Sequence, residues 1–148
     1  MQLAPSAGLT ASTPSTPTAV KVPPALSKRP KVTVPTGPPP ARLVVKDLIK
    51  GTSQPVSAGQ TITVNYVGVL YKTGKQFDSS WQRNQPFTTQ LTAGNVIPGW
   101  VGGMAGMRVG GRRELIIPPS LGYGKTGRAP AIPPNSTLVF VIDLLSAS

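Results

Sequence analysis

The chain has 148 residues, 18 of them proline and 16 glycine, carries a formal charge of +11, and contains no cysteine and no histidine. That length suits one domain with a tail. The missing residues exclude disulfides and thiolate metal sites, and four scattered carboxylates, Asp47, Asp78, Glu114 and Asp143, argue against a structural zinc or a two-metal centre.

Residues 1–40 hold ten of the eighteen prolines, many Ser, Thr and Ala, and no aromatic residue. Such a stretch buries too little apolar surface to offset its ordering entropy, so residues 1–27 read as a flexible, partly extended linker. Residues 28–42 form a basic, proline-rich lead-in. Val32 and Val34 alternate with polar residues there, a pattern that lets the piece lie along the domain as an edge strand. The Ser/Thr/Pro tail after Met1 resembles the spacer that follows a removed export signal, and equally a linker to a further domain. The reading leans to an exported protein and leaves the compartment open. Basic residues occur singly or in pairs, with ten Lys or Arg against four acids in residues 43–148. That dispersal fits a solvated surface better than nucleic acid as primary ligand. The chain shows no apolar run long enough to span a membrane, and no coiled-coil pattern argues against a monomer.

Leu43 to Ile49 reads as a strand ending at Gly51. Thr61 to Leu70 is the clearest strand, with Ile62, Val64 and Tyr66 on one face and Thr61, Thr63 and Asn65 on the other. Lys72 to Lys75 is a turn, and the chain returns through Gln76-Phe77-Asp78. Phe87 to Leu91 and Arg112 to Ile117 are further strands, the latter stopped by Pro118-Pro119. Leu138 to Leu145 is nearly all apolar and so belongs in the sheet centre, buried on both faces. One segment predicts a helix, Pro98 to Met107: proline suits a first helical position, and Trp100, Met104 and Met107 recur at helical spacing. Its glycines weaken it by roughly 1 kcal/mol each, so it depends on packing. The fold class is α+β, antiparallel sheet with one short helix. Two long loops remain, Ser79 to Pro86 and Ser120 to Pro134; loops of such length in compact domains usually carry function.

All eight aromatic residues lie between Tyr66 and Phe140. Gathered aromatics without proton carriers point to binding of something apolar rather than to covalent chemistry. On spacing alone Trp100 and Phe140 read as plain core, and Asp78 with Arg83 as an ion pair holding the Ser79–Pro86 loop.

Ordered blocks narrow this. Asn65-Tyr66-Val67-Gly68, Gly74-Lys75-Gln76-Phe77-Asp78-Ser79-Ser80, Arg83-Asn84-Gln85-Pro86-Phe87, Val96-Ile97-Pro98-Gly99-Trp100, Met107-Arg108-Val109-Gly110-Gly111, Ile116-Ile117-Pro118-Pro119, Leu121-Gly122-Tyr123-Gly124, Ile132-Pro133-Pro134 and Leu138-Val139-Phe140 together resemble FKBP-type peptidyl-prolyl cis-trans isomerases. The likeness runs from about residue 43 to residue 145, and the lead-in is similar to that of actinobacterial members. The resemblance implies a strongly curved antiparallel sheet wrapped around one short helix. It also implies isomerisation of X–Pro bonds in unfolded or flexible chains, with no cofactor and no metal. Proline-containing polypeptides, and macrolides such as tacrolimus and rapamycin, would be the ligands.

Carried over by position, the ligand cup would be Tyr66, Phe77, Phe87, Val96, Ile97, Trp100, Tyr123 and Phe140, with the Trp100 indole as floor. Asp78 would lie at the rim near Tyr66 and Arg83, and Ile132 on the long flap. The Ile97 N–H and the Tyr123 hydroxyl would donate to ligand carbonyls. The chain departs from better-known members at Leu121, where an aromatic often stands, at Asn95, and at Arg128-Ala129-Pro130 on the flap. These bear on substrate preference. The alternative function is a non-catalytic proline-peptide-binding or chaperone module using the same cup.

Overall fold

The computed structural model describes Val22 and residues 24–148. Among these, six strands form one antiparallel sheet: β1 Val44–Ile49, β2 Thr61–Leu70, β3 Gln76–Ser79, β4 Phe87–Gln90, β5 Arg112–Ile117 and β6 Leu138–Ala147. The order is β1-β5-β6-β2-β3, and β4 also pairs with β2. The edge of β2 is shared: Thr61 to Val64 pair with β4, and Val67 to Val69 with β3. β6 lies at the centre and is buried along almost its whole length, as its unbroken apolar run requires.

Charge supports the register at the other end. The cross-strand pairs Lys46/Glu114, Asp47/Arg113 and Arg112/Asp143 each set a cation opposite an acid. Arg112 grips the fully buried Asp143 with two bonds, 2.7 Å from Nε and 2.9 Å from Nη2. Burial pushes the Asp143 carboxyl up, and the Arg112 bonds oppose that rise.

The helix, α1, spans Pro98–Met104, shorter than the sequence pattern predicts. It stops because Ala105 turns to an extended conformation and Gly106 takes φ +80°, a region open to glycine. Met107 lies beyond the helix, yet remains only 1% exposed against the same core. The helix sits close on β5. A Cβ on Gly99 would lie 2.6 Å from Ile117, and one on Gly103 2.7 Å from Leu115. The glycines that weaken the helix are therefore what lets it approach the sheet.

The main core lies between α1 and the sheet. Ile62, Val64 and Tyr66 point into it, together with Trp100, Met104, Leu115 and Phe140, as the alternation along β2 predicts. The opposite face of the sheet carries a second cluster of Val67, Val69, Tyr71, Ile116 and Val139.

The N-terminal segment differs from its sequence reading. Residues 28–42 form no strand. They carry Pro30, Pro35 and Pro38–Pro40, which offer no N–H to a sheet edge. Instead Val32 and Val34 pack onto the second cluster, and the Tyr71 hydroxyl donates to the Gly37 and Pro38 carbonyls at 3.3 Å each. Arg112 donates to the Lys28 carbonyl at 2.8 Å, and Arg29 to the side chain of Gln76. The expected linker over residues 1–27 lies largely outside the described residues. At its end, though, Leu26 is completely buried in a short 3-10 turn, Pro24–Leu26, so that end is a docked strap. Among the described residues, no helix is long and apolar enough to cross a membrane.

Candidate functional site

Strand β2 carries Tyr66 into the core, and the rest of the site assembles around its ring. The Tyr66 ring meets Trp100 and Phe87 edge-on at 5.3 and 6.0 Å between centroids, and lies tilted by 52° against Phe140 at 6.3 Å. Trp100 and Phe140 meet at 90° and 5.5 Å, and Phe77 and Phe140 at 87° and 5.4 Å. Edge-to-face contacts of this kind hold rings in fixed orientations. Phe77 and Phe140 come together across Gly68, where a Cβ would lie 2.7 Å from both rings. No other residue leaves room for that crossing.

The twelve side chains singled out from the sequence converge. Tyr66, Val96, Ile97, Trp100, Ile132 and Phe140 are buried in one cluster, and Phe77, Phe87, Leu121 and Tyr123 pack partly buried against it. The indole of Trp100 and the rings of Tyr66 and Phe140 form a closed base, and the half-exposed rings rise around it. Asp78 and Arg83 complete the set through Tyr66.

That triplet is tightly bonded. The Tyr66 hydroxyl donates to Asp78 Oδ2 at 2.7 Å, and Arg83 Nη2 donates to the Tyr66 oxygen at 2.9 Å. Arg83 Nη1 reaches Asp78 Oδ1 at 2.9 Å, an ion pair whose carboxylate side is 4% exposed and whose guanidinium side is 37% exposed. The Ser79 N–H also donates to Oδ1, at 2.9 Å. The Arg83 guanidinium lies 5.8 Å from the Tyr66 ring centroid. Burial, and then the charge of Asp78, push the Tyr66 hydroxyl far above its ordinary range, so it stays a donor at any physiological pH. Burial alone would weaken the charge on Arg83, but the bond to Asp78 and the neighbouring Tyr66 outweigh it, and its pKa is raised. Asp78 and Arg83 thus form the structural pair expected from spacing, and they also fix the tyrosine.

Three polar groups of this cluster face no partner. The Trp100 Nε1 and the Tyr123 hydroxyl are buried without a hydrogen bond, and the Ile97 N–H has no acceptor among the described residues. An unpaired buried donor costs about 1–3 kcal/mol, a cost that a ligand carbonyl would remove. Burial raises the Tyr123 pKa most; Arg128 opposes the rise and Asp78 adds to it, so both charges act on this hydroxyl.

The flap is built on its own backbone. Gly124 N–H donates to Pro119 at 2.8 Å and Asn135 N–H to Gly124 at 2.9 Å. Arg128 and Ile132 exchange two bonds, of 2.7 and 2.9 Å. Gly127, at φ +68°, lies so close to Ile132 and Pro133 that a Cβ would sit 2.6 Å away, so a side chain there would break the bridge. The bridge carries Ile132 into the aromatic cluster.

Sequence reasoning missed a second layer. Ser80 Oγ accepts from the Tyr66 N–H at 2.8 Å and donates to Asn65 Oδ1 at 2.8 Å, clamping the strand that carries Tyr66 to the loop that carries Arg83. Ser80 is completely buried, but nothing in a Ser-Ser pair marks it as such. Arg128 stands out in the sequence only as a departure on the flap. Its guanidinium lies 5.9 Å from the Tyr123 ring centroid.

The model of the family described as "FKBP-type peptidyl-prolyl cis-trans isomerase" matches residues 52–145. An FK506-binding protein of Streptomyces anulatus is 51% identical over 120 residues, covering 80% of this chain and 97% of that one. Among solved structures, AtFKBP13 is 38% identical with a TM-score of 0.67, covering 72% of this chain and 93% of that one. FkpA from Escherichia coli is 43% identical with a TM-score of 0.66, covering 72% of this chain and 48% of that one.

Proposed function

This chain belongs to the FKBP-type peptidyl-prolyl cis-trans isomerase family, and on that premise we propose that the aromatic cup between α1 and the sheet is where the X–Pro bond turns. The isomerase unit is residues 43–148, with residues 28–42 as its strap. Proline-containing polypeptides are the substrates and macrolides such as tacrolimus and rapamycin compete for the cup. The chain acts as a monomer: among the described residues the large apolar side chains left exposed are Val22, Val45 and Leu48, too few for a stable interface.

Rotation about a peptide bond meets a barrier of roughly 18–20 kcal/mol because it breaks amide resonance. The two X–Pro isomers differ by only about 0.5–1 kcal/mol, yet exchange over tens of seconds or longer. At mid-rotation the carbonyl has lost the charge separation of the planar amide. A dry, ring-lined site penalises that twisted form less than it penalises the planar one, and differential binding of this kind accelerates the turn without a nucleophile.

Trp100, Tyr66 and Phe140 form the floor for the proline ring, and Phe77, Phe87, Val96 and Leu121 the wall. The Ile97 N–H and the Tyr123 hydroxyl hold ligand carbonyls. Ile132 closes the flap side. Asp78 and Arg83 hold Tyr66 in place and polarise the rim; neither exchanges a proton with substrate. The observation that carries this reading is the set of five ring contacts between 5.3 and 6.3 Å around Tyr66 and Phe140, beside buried donors that lack partners.

The test is a cis-to-trans assay on a Leu-Pro peptide, with and without tacrolimus. Rapid conversion, suppressed by tacrolimus and reduced in Phe77→Ala, is expected. A rate equal to the uncatalysed one would leave only the proline-binding alternative.

A further inference from the structure

Residues 80–86 join β3 to β4, so the chain leaves the wall ring Phe77 in one strand and returns to the wall ring Phe87 at the start of the next. Within this loop Trp81–Arg83 form a 3-10 turn, and the turn faces two ways. On the cup side, Ser80 accepts from the Tyr66 N–H at 2.8 Å and returns its own N–H to the Tyr66 carbonyl at 3.0 Å. Arg83, at the end of the turn, donates to Asp78 and to the Tyr66 oxygen. Trp81 goes the other way. Half-buried, it packs on the second cluster, the one on the far face of the sheet, which Val32 and Val34 of the strap also cover. Its Nε1 is buried with no hydrogen-bond partner among the described residues, so packing alone seats the indole. Trp81 is also the one large apolar side chain of residues 80–86. A polar link runs beside it: Arg29 of the strap donates to the Gln76 side chain, which donates to Gln82 in the turn at 2.9 Å. Water competes for both of these exposed bonds, so the packing of Trp81 is the stronger tie.

We propose that Trp81 is a positioning residue for the isomerase: seated in the cluster that the strap covers, it holds the turn that fixes Tyr66 and the two wall rings of the cup. The inference rests on the cup reading above. It gives residues 28–42 a part in the reaction, although none of them lines the cup. The physical reason is that a single 3-10 turn has no core of its own. From the cup side it is held by hydrogen bonds at a mouth open to water, where Arg83 is 37% exposed. Anchoring from the opposite face supplies what those bonds lack, and that anchor is closed only while the strap lies over it.

The experiment measures kcat/KM on a Leu-Pro peptide and tacrolimus affinity, using the full chain below the melting temperature of each variant. The variants are Trp81→Ala, Trp81→Phe, the strap pair Val32→Ser with Val34→Ser, and Trp81→Ala combined with that pair. A misplacement of 1 Å costs a reaction about a hundredfold. A turn that is loosened but still bonded to Tyr66 should cost less, about three- to tenfold in both kcat/KM and tacrolimus affinity. Trp81→Phe should recover most of the loss, because a ring still fills the seat. The strap pair should show a similar loss with the loop itself unaltered, and the combined variant should lose no more than Trp81→Ala, since residues acting through one contact are not additive. Hydrogen exchange at the Arg83 and Asn84 amides, which donate to Ser80 and Trp81 at 3.1 Å each, should quicken in Trp81→Ala and in the strap pair. A lower Tm with rate and affinity of the folded protein unchanged would overturn the proposal. Losses that multiply in the combined variant would overturn it too, because they would separate the strap from Trp81. Should Trp81→Ala not fold, the strap pair decides by the same rate, affinity and exchange. An unmodified chain that turns over no Leu-Pro peptide would remove the isomerase reading itself, whereas an active chain with indifferent variants removes this inference alone.

Discussion

Replacing Tyr66 with Phe deletes one oxygen and nothing else from the floor of the cup. The ring keeps its contacts with Trp100, Phe87 and Phe140, so the packing loss is small. Two hydrogen bonds go, the 2.7 Å donation to Asp78 Oδ2 and the 2.9 Å bond accepted from Arg83. Their consequences are unequal. Arg83 is 37% exposed and turns to water, whereas the Asp78 carboxylate is 4% exposed and its Oδ2 is left without that donor. A lost hydrogen bond to a buried charged group costs about 1.5–3 kcal/mol. Tyr66→Phe should therefore unfold at lower urea with an unchanged m-value, and its Tm should fall by about 5–10 °C. Its isomerase activity should drop by less than about tenfold, because the proposed turn uses no proton from the hydroxyl and the apolar surface remains. A stability change under about 0.5 kcal/mol would refute the buried network as the device that fixes the floor. A thousandfold loss of activity in a folded variant would refute catalysis without proton transfer.

Gly103→Ala gains about 1 kcal/mol of helix propensity but drives a methyl to 2.7 Å from the buried Leu115; overpacking of about 1–3 kcal/mol should win, and chemical denaturation should show a net loss. Deleting residues 1–38 removes the buried Leu26, the cover of Val32 and Val34 and both acceptors of Tyr71. That truncation should lower stability by about 2–5 kcal/mol and expose a dye-binding apolar face, while an unaltered melting curve would mean the strap does not dock in solution. Isomerase activity should be flat from about pH 6 to 9. Stability should then decline above about pH 10, because the unfolded chain ionises Tyr66 and Tyr123 at their ordinary value and the raised folded values keep both protonated in the native state, a slope of about 1.4 kcal/mol per pH unit for each. Denaturation midpoints that stay constant to pH 12 would contradict that burial.

The strands were legible because their apolar residues alternate or run together at the right spacing. Ile62, Val64 and Tyr66 could only face one side, and the length of apolar chain from Leu138 onward demanded the centre of a sheet. The proposed cup residues stand out for a different reason: none can be told from ordinary core by its neighbours in sequence, and only the order of the blocks points to them. Contacts between residues far apart in the chain decided the rest. The helix ends at Met104 because Gly106 reverses the chain, although Met107 keeps the helical spacing. Residues 28–42 are a strap and not a strand, since their prolines refuse sheet bonds while an uncovered valine face on the far side of the sheet offers burial. Ser80 and Arg128 matter only through Tyr66 and Tyr123, 14 residues back from one and on the same bend as the other. Local periodicity records which side chains avoid water; which of them meet, and at what angle, follows from the closure of the sheet on the helix.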